Sequence, residues 1–394
     1  MTVAIGASQR TVLSARNAVL GTFFLNGFAF ATFASRIPSV RQALDLGAGR
    51  LGLLLLATSA GAVLALPSSG GTVQRFGAAR VVTVAAVVEG VGLTLVAIGA
   101  GVIHLMAVTA VGLFLVGFGT GTWDVAMNVE GAEVERRLGR SVMPRFHASF
   151  SLGTVAGAGV GSLVTWLGVG LAPHIGVVAA LIAVLGGVSV RGFLGGEHHP
   201  EPSRESHALR AWGEPRTLLV GVMVLAMALT EGVANDWLAL AMVDGYDTPA
   251  WVGAAAFALF VAAMTTGRVA GTVLLDLFGR LPVLWGSMAV AAVGVLLVVL
   301  GQVAPLVVIG IVLWGVGASL GFPVGMSAAA DDPARAAARV SVVSTIGYTA
   351  FLVGPPLLGL LGSHFGVLNA LLVVSVILVP SALAVPAARK PALG

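Results

Sequence analysis

Cysteine is absent from the 394 residues, which excludes disulfides and thiol chemistry and says nothing about compartment. Charge is scarce too: 10% of residues are charged against 57% hydrophobic, with a mean hydropathy of +1.00, so there is no polar surface to clothe a soluble domain. A nucleophile paired with a base, a metal-ligand cluster and a phosphate loop are all missing, so an enzyme is not expected, nor is a cofactor or a metal. The His198-His199 pair has no further ligands around it. A cleavable signal is also lacking, because the first apolar run is too long and leads into Arg36-Ile37-Pro38 rather than a small-residue cleavage site.

What is present is apolar length. A span needs about 20 apolar residues to cross a ~30 Å hydrocarbon core. Twelve such stretches fall near 13–35, 51–69, 81–100, 105–127, 147–168, 172–190, 217–243, 251–270, 281–300, 306–328, 340–362 and 367–385. They are continuous runs of helical length, which disfavours a membrane β-barrel of short alternating strands. The fold class expected is therefore an all-α membrane protein with the lipid bilayer as its solvent. With the N-terminus inside, all of the 21 Lys and Arg residues except Arg36, Arg41 and Arg50 collect on one side, Arg268 among them. Positive loops stay in the cytoplasm, so both termini are expected there, in a bacterial-type plasma (inner) membrane. The basic pI of about 10.5 then reports topology, and nucleic acid is not an expected partner.

A polar segment at 191–216 divides six spans from six, giving a bundle over 1–190, a cytoplasmic linker and a second bundle over 217–394. The halves echo each other: Gln74-Arg75-Phe76-Gly77 follows the second span and Leu277-Phe278-Gly279-Arg280 the eighth. Arg136, Arg137 and Arg140 after span four answer Arg335 and Arg339 after span ten. Two such repeats imply a transporter whose substrate site lies near the midplane. Of the 54 glycines, Gly153, Gly157, Gly159 and Gly161 on span five are expected to let helices approach closely.

The loop Gly70-Gly71-Thr72-Val73-Gln74-Arg75-Phe76-Gly77-Ala78-Ala79-Arg80 and its second copy Asp276-Leu277-Phe278-Gly279-Arg280 resemble the loop signature of the major facilitator superfamily, with Gln74 in place of the usual acid. The resemblance extends over essentially the full length. It implies twelve transmembrane helices in two six-helix pseudo-repeats (the major facilitator fold), with an inner gate around Arg75, Asp276 and Arg280. Ala34-Ser35-Arg36-Ile37-Pro38, Trp123-Asp124 through Gly131, Arg145-Phe146-His147-Ala148-Ser149 and Glu231 through Trp237 resemble the MosC/YbjJ-like branch. One member's association with rhizopine, an inositol-derived amine, implies polyol-like cargo.

Ionisable groups inside spans are costly and usually face a cavity or a partner. Glu89, Asp124, Glu231 and Asp236 qualify. Glu231, about 21 Å into span seven at 1.5 Å per residue, is the expected proton or substrate carboxylate, since burial disfavours a carboxyl's charged form. A hydrogen-bonded helix contact or a sodium site are the alternatives. Asn235 follows Glu231 by one turn and Asn128 follows Asp124 by one turn, so each pair shares a helix face. In the family, spans one, four, seven and ten line the cavity, which implies substrate roles for Thr22, Asn26, Asn128, Asn235 and Trp314. Ser344 and Tyr348 on span eleven are expected to reach it as well. Asp124, read as lying near the inner end of span four, is expected to meet Arg145 and His147, with His147 able to titrate near neutrality. Glu130, Glu133 and Glu135 read as a solvated helical extension, and Arg36 with Asp236 as an outer latch.

The leading reading is a proton-coupled secondary transporter for a small polar, sugar- or cyclitol-like solute, working as a monomer by alternating access. Proton-driven efflux of drugs or metabolites is the second reading, and a non-transporting sensor or scaffold the third. Against efflux, the family exporters' span-four arginine is replaced by Leu113, and Gly157 through Ser162 lacks their span-five proline. Gly354-Pro355-Pro356 on span eleven would kink or loosen its helix, or is simply a tolerated membrane proline.

Overall fold

Long apolar segments without alternation can satisfy their backbone groups in a bilayer only by coiling into helices, and helices are what the chain forms. A computed structural model describes residues 2–139, 142–194, 211–332 and 335–390, and no strand occurs among them. His198, His199 and Arg140, and most of the 191–216 segment, lie outside the described residues. The chain forms two compact units, Met1–Pro200 and Glu201–Gly394.

The first unit contains α1 (Thr2–Ser35), α2 (Ile37–Ala43), α3 (Ala48–Phe76), α4 (Ala78–Gly101), α5 (Met106–Leu138), α6 (Met143–Trp166) and α7 (Leu171–Ser189). The second contains α8 (Pro215–Val233), a π-helical turn (Ala234–Leu238), α9 (Ala239–Tyr246), α10 (Ala250–Phe278), α11 (Arg280–Leu300), α12 (Ala304–Ala318), α13 (Gly321–Ala329), α14 (Ala336–Phe365), α15 (Val367–Ala370) and α16 (Leu372–Ala382), closed by a 3-10 turn at Val385–Ala388. Among the described residues, 11 helices are long and apolar enough to cross a membrane. The expected twelfth span is a shorter apolar segment, Val367–Ala382, broken at Leu371. Span ten is likewise two helices, parting at Ser319 and Leu320. Span eleven is continuous: α14 runs unbroken through Pro355 and Pro356.

Two glycines make the repeat visible in the backbone. Gly77 closes α3 and opens α4 at φ +80°, and Gly279 closes α10 and opens α11 at φ +75°. Only a residue without a Cβ adopts that conformation cheaply, so each loop signature turns on its glycine. The helix crossings repeat as well. On α4 and α5, a Cβ on Gly92 or Gly112 would lie 2.7 Å from the other's carbonyl oxygen. On α11 and α12, Gly294 and Gly310 show the same reciprocal 2.7 Å approach. Backbones this close gain packing that side chains would prevent. Gly153, Gly157 and Gly161 on α6 back onto Phe24, Phe28, Thr32 and Ser35 of α1, while Gly159 faces open space.

Candidate functional site

In the second unit, Glu231 stands near the middle of the helical run Pro215–Tyr246 and forms an ion pair there with Arg268 of α10. Arg268 Nη2 donates to both carboxylate oxygens at 3.0 and 3.1 Å, and its Nε points at the Ser319 carbonyl at 3.4 Å, where span ten breaks. The two side chains are 19% and 30% exposed, so the pair is mostly, not wholly, desolvated. Arg268 was counted above with the loop arginines. It instead lies well inside α10, because that helix continues for ten residues to Phe278. Just beyond Glu231 the chain widens into the π turn that carries Asn235 and Asp236. An extra residue in a turn re-aims the side chains around it, and such turns recur at functional sites. Asn235 is buried, Asp236 half-buried, and neither side chain hydrogen-bonds to a described residue.

Trp314 does not offer a face for stacking. It is fully buried, donates Nε1–H to the Thr230 carbonyl at 3.1 Å, and meets Phe260 edge-on at 5.6 Å, tying α12 to α8 and α10. Ser344 lies 3.6 Å from the Met326 sulfur, and Tyr348 packs beside Phe322 and Phe351.

The charged end of this unit is built on Asp331 rather than on Asp276. Arg280 grips Asp331 with both Nη atoms, at 2.9 and 3.1 Å, and Arg216 adds a 2.8 Å bond. The same arginines hold the carbonyls of Ala387, Ala388 and Arg389. Burial pushes the Asp331 carboxyl up, but the bonds from Arg280 and Arg216 outweigh it and hold it below the usual range. Asp276 is exposed and has no ion pair among the described residues. Beside this cluster, Glu214 receives Arg339 at 2.6 Å and Arg335 at 3.3 Å. The Arg339 bond, opposed by burial and aided by Thr217, holds Glu214 below the usual glutamate range.

In the first unit, Asn128 donates to the Asp124 carbonyl at 2.9 Å and to its carboxylate at 3.3 Å, so the expected shared face exists. The Asp124 to Arg145 meeting does not. α5 extends to Leu138, which puts Asp124 about 21 Å from that helix end at 1.5 Å per residue, whereas Arg145 opens α6 and is exposed. His147 packs edge-on against Phe23 at 5.3 Å. Thr22 is fully buried, bonding the Ala18 carbonyl and Ser189 Oγ, a tie between α1 and α7. Asn26 is 1% exposed, and neither amide atom has a hydrogen-bond partner among the described residues. Arg36 is buried and donates to Thr165 Oγ1 and the Val169 carbonyl, securing α1 to the end of α6. Arg75 is exposed over the Phe76 ring.

The acids at 130–135 divide. Glu133 pairs with Arg136 and Arg137 toward solvent. Glu135 instead accepts the backbone N–H groups of Val142 and Met143, capping α6, a favourable place for a carboxylate. Glu130 is 1% exposed and accepts the Leu194 N–H at 2.6 Å, so it is not solvated.

Comparison with known proteins defines the class. No family model matches the chain. It is 34% identical over 365 residues, 90% of its length and 92% of the relative's, to y4wD, an uncharacterized transporter of Sinorhizobium fredii. It is 31% identical to an uncharacterized MFS-type transporter of Yersinia pestis, over 86% of each chain. The membrane protein MosC of Rhizobium meliloti is 27% identical over 90% of this chain and 85% of its own. Among solved structures, a mutant of the nucleoside transporter NupG superposes with a TM-score of 0.79 at 15% identity, covering 96% of this chain and 100% of that one. The D-xylose-proton symporter does so with a TM-score of 0.73 at 15% identity, covering 97% and 100%. The chain is a multi-pass membrane transporter and belongs to the major facilitator superfamily.

Proposed function

We propose that the protein is a proton-coupled secondary transporter that moves a small polar, sugar- or cyclitol-like solute by alternating access of two six-helix halves, 1–190 and 217–394, joined by 191–216. It works as a monomer in a bacterial-type plasma membrane with both termini cytoplasmic. The observation that carries this reading is the Glu231–Arg268 pair at mid-span. A paired carboxylate can take a proton and release its arginine, and a solute hydroxyl can then accept from Arg268 while Glu231 donates. Protonation leaves Arg268 without its counter-ion and a solute hydroxyl offers it a substitute acceptor, so proton and solute each favour the other's binding, which is the requirement for coupling. Asn235 in the second unit, and separately Asn26 and the Asp124–Asn128 pair in the first, are amide and carboxylate groups of the kind that suits a hydroxylated or amine-bearing solute. The fold itself serves such cargo in a nucleoside transporter and a D-xylose-proton symporter.

The efflux reading draws less support, since Gly157 and Gly161 serve helix packing against α1. Proteoliposomes with an internal pH dye test the proposal, with inositols, amino-cyclitols, hexoses and lipophilic cations added outside one at a time. Internal acidification with a polyol or sugar is expected, and is lost in Glu231→Gln. Alkalinisation with a cation would put proton-driven export in its place, and silence across the panel would remove the coupled-solute reading.

A further inference from the structure

Halfway along α4, Glu89 is fully buried, and neither of its carboxyl oxygens has a hydrogen-bond partner among the described residues. The Thr120 hydroxyl of α5 is a polar neighbour of the carboxyl. Gly119 of α5 backs directly onto it, a Cβ there falling 2.9 Å from Glu89 Cβ.

The second repeat shows what this crossing needs. Glu89 precedes the contact glycine Gly92 by three residues, as Ala291 precedes Gly294; Gly119 follows Gly112 by seven, as Gly317 follows Gly310. Gly317 backs onto Ala291, its Cβ 2.7 Å from that of Ala291. The same approach of backbones is therefore achieved with a methyl group in one unit and a carboxyl in the other. Packing accounts for the alanine and leaves the acid unexplained.

Among the described residues, no charge answers it. Among the elements packed on α4, α5 carries Asp124 five residues beyond Gly119, about 140° round the helix from the Glu89 side. On α7, Gly90 of α4 meets Ala179 and Ala183, so His174 in the first turn is about 13 Å away along the axis from Ala183. Arg41 of α2, and Arg50 and Arg75 near the two ends of α3, sit at helix ends, far from mid-span. Arg80 is in the first turn of α4, nine residues or about 13 Å from Glu89, and Arg191 is in the 3-10 turn Val190–Gly192 that follows α7 and packs beside that same end of α4. The remaining α5 charges, Glu130, Glu133, Glu135, Arg136 and Arg137, lie in its last turns. An ionised carboxylate so placed would go unpaired in an apolar interior, so the resting side chain holds a proton.

We propose that Glu89 is a proton-binding site of the first unit, neutral at rest and able to give up its proton to water when the α4–α5 seam, marked by the half-buried Thr120, is wetted. Its role in coupling rests on the transporter reading above. The site differs in kind from Glu231, which carries its own counter-ion, and so it can hold a proton without leaving a partner's charge uncompensated.

Infrared spectroscopy of the protein in lipid reads that proton directly, without a solute. A protonated-carboxyl band is expected that is missing in Glu89→Gln and that fades as the pH is raised from about 5 to about 10, the range in which buried glutamates titrate. No such band, a band unchanged in Glu89→Gln, or a Glu89 band that persists at the alkaline end would overturn the inference. Glu89→Ala, which copies Ala291, is expected to keep the wild-type melting temperature; a collapse of both variants would make Glu89 a packing residue and overturn it too. Because the band does not depend on transport, a silent proteoliposome panel and a missing proton are separate results.

Discussion

Removing Arg268 alone should damage the protein more than removing the whole Glu231–Arg268 pair. At 3.0 Å, two unit charges in an effective dielectric near 20 attract by roughly 5.5 kcal/mol, an upper bound before desolvation is subtracted. Both side chains are less than one-third exposed, so solvent screening removes little of this. Arg268→Met strands a carboxylate among α8 and α10 and should cost about 3–5 kcal/mol, the usual penalty for orphaning a buried charge. Glu231→Gln should fall at the lower end, because the arginine retains its contact to the Ser319 carbonyl and a long stem that can reach toward water. The double variant leaves no unpaired charge and should lie within about 1 kcal/mol of wild type. Unfolding of the four proteins in the same detergent closes the cycle. Singles within about 0.5 kcal/mol of wild type, or a double variant equal to their sum, would refute the pairing as an energetic unit.

Three further outcomes follow from the packing and charges. Asp331 and Glu214 bind protons more weakly folded than unfolded, so their stabilisation is full above the unfolded carboxyl values of about 4 and drains away as pH falls through the lower folded ones. Acid unfolding should therefore be flatter in Asp331→Asn, read by melting temperature against pH. Gly117→Ala drives a methyl into the Thr58 carbonyl and should destabilise by about 1–3 kcal/mol, whereas Gly159→Ala, facing open space, should be neutral or gain up to about 1 kcal/mol; paired melting curves decide. Trp314→Phe loses the bond to Thr230 and should cost about 1 kcal/mol with unchanged half-saturation for solute, while Asn235→Ala should raise the half-saturation in transport assays.

Class and helix count were legible because they depend on composition and run length, which tertiary context cannot alter: an apolar run of span length has no soluble alternative. Gly77 and Gly279 could be matched by eye because a positive φ demands glycine wherever the turn falls. The functional face of a helix is another matter. Arg268 lay inside the expected span 251–270 and met the same rule that singled out Glu231, yet charge counting assigned it to a loop, since a span boundary read from hydropathy does not show where a helix ends. Trp314, Thr22 and Asn26 share one description in sequence, polar or aromatic on a lining helix, and only packing separates the two whose hydrogen bonds are made from the one whose amide is left open.

Sequence alone determined that this chain is a helical membrane protein of two related halves with acids buried in its spans, because hydrophobic length and glycine turns are local properties. Tertiary structure decided which acids have partners: Glu231 with Arg268, Asp331 with two arginines, Glu89 with none among the described residues. Pairing depends on which faces of different helices converge, and no local property of one helix specifies the face of its neighbour.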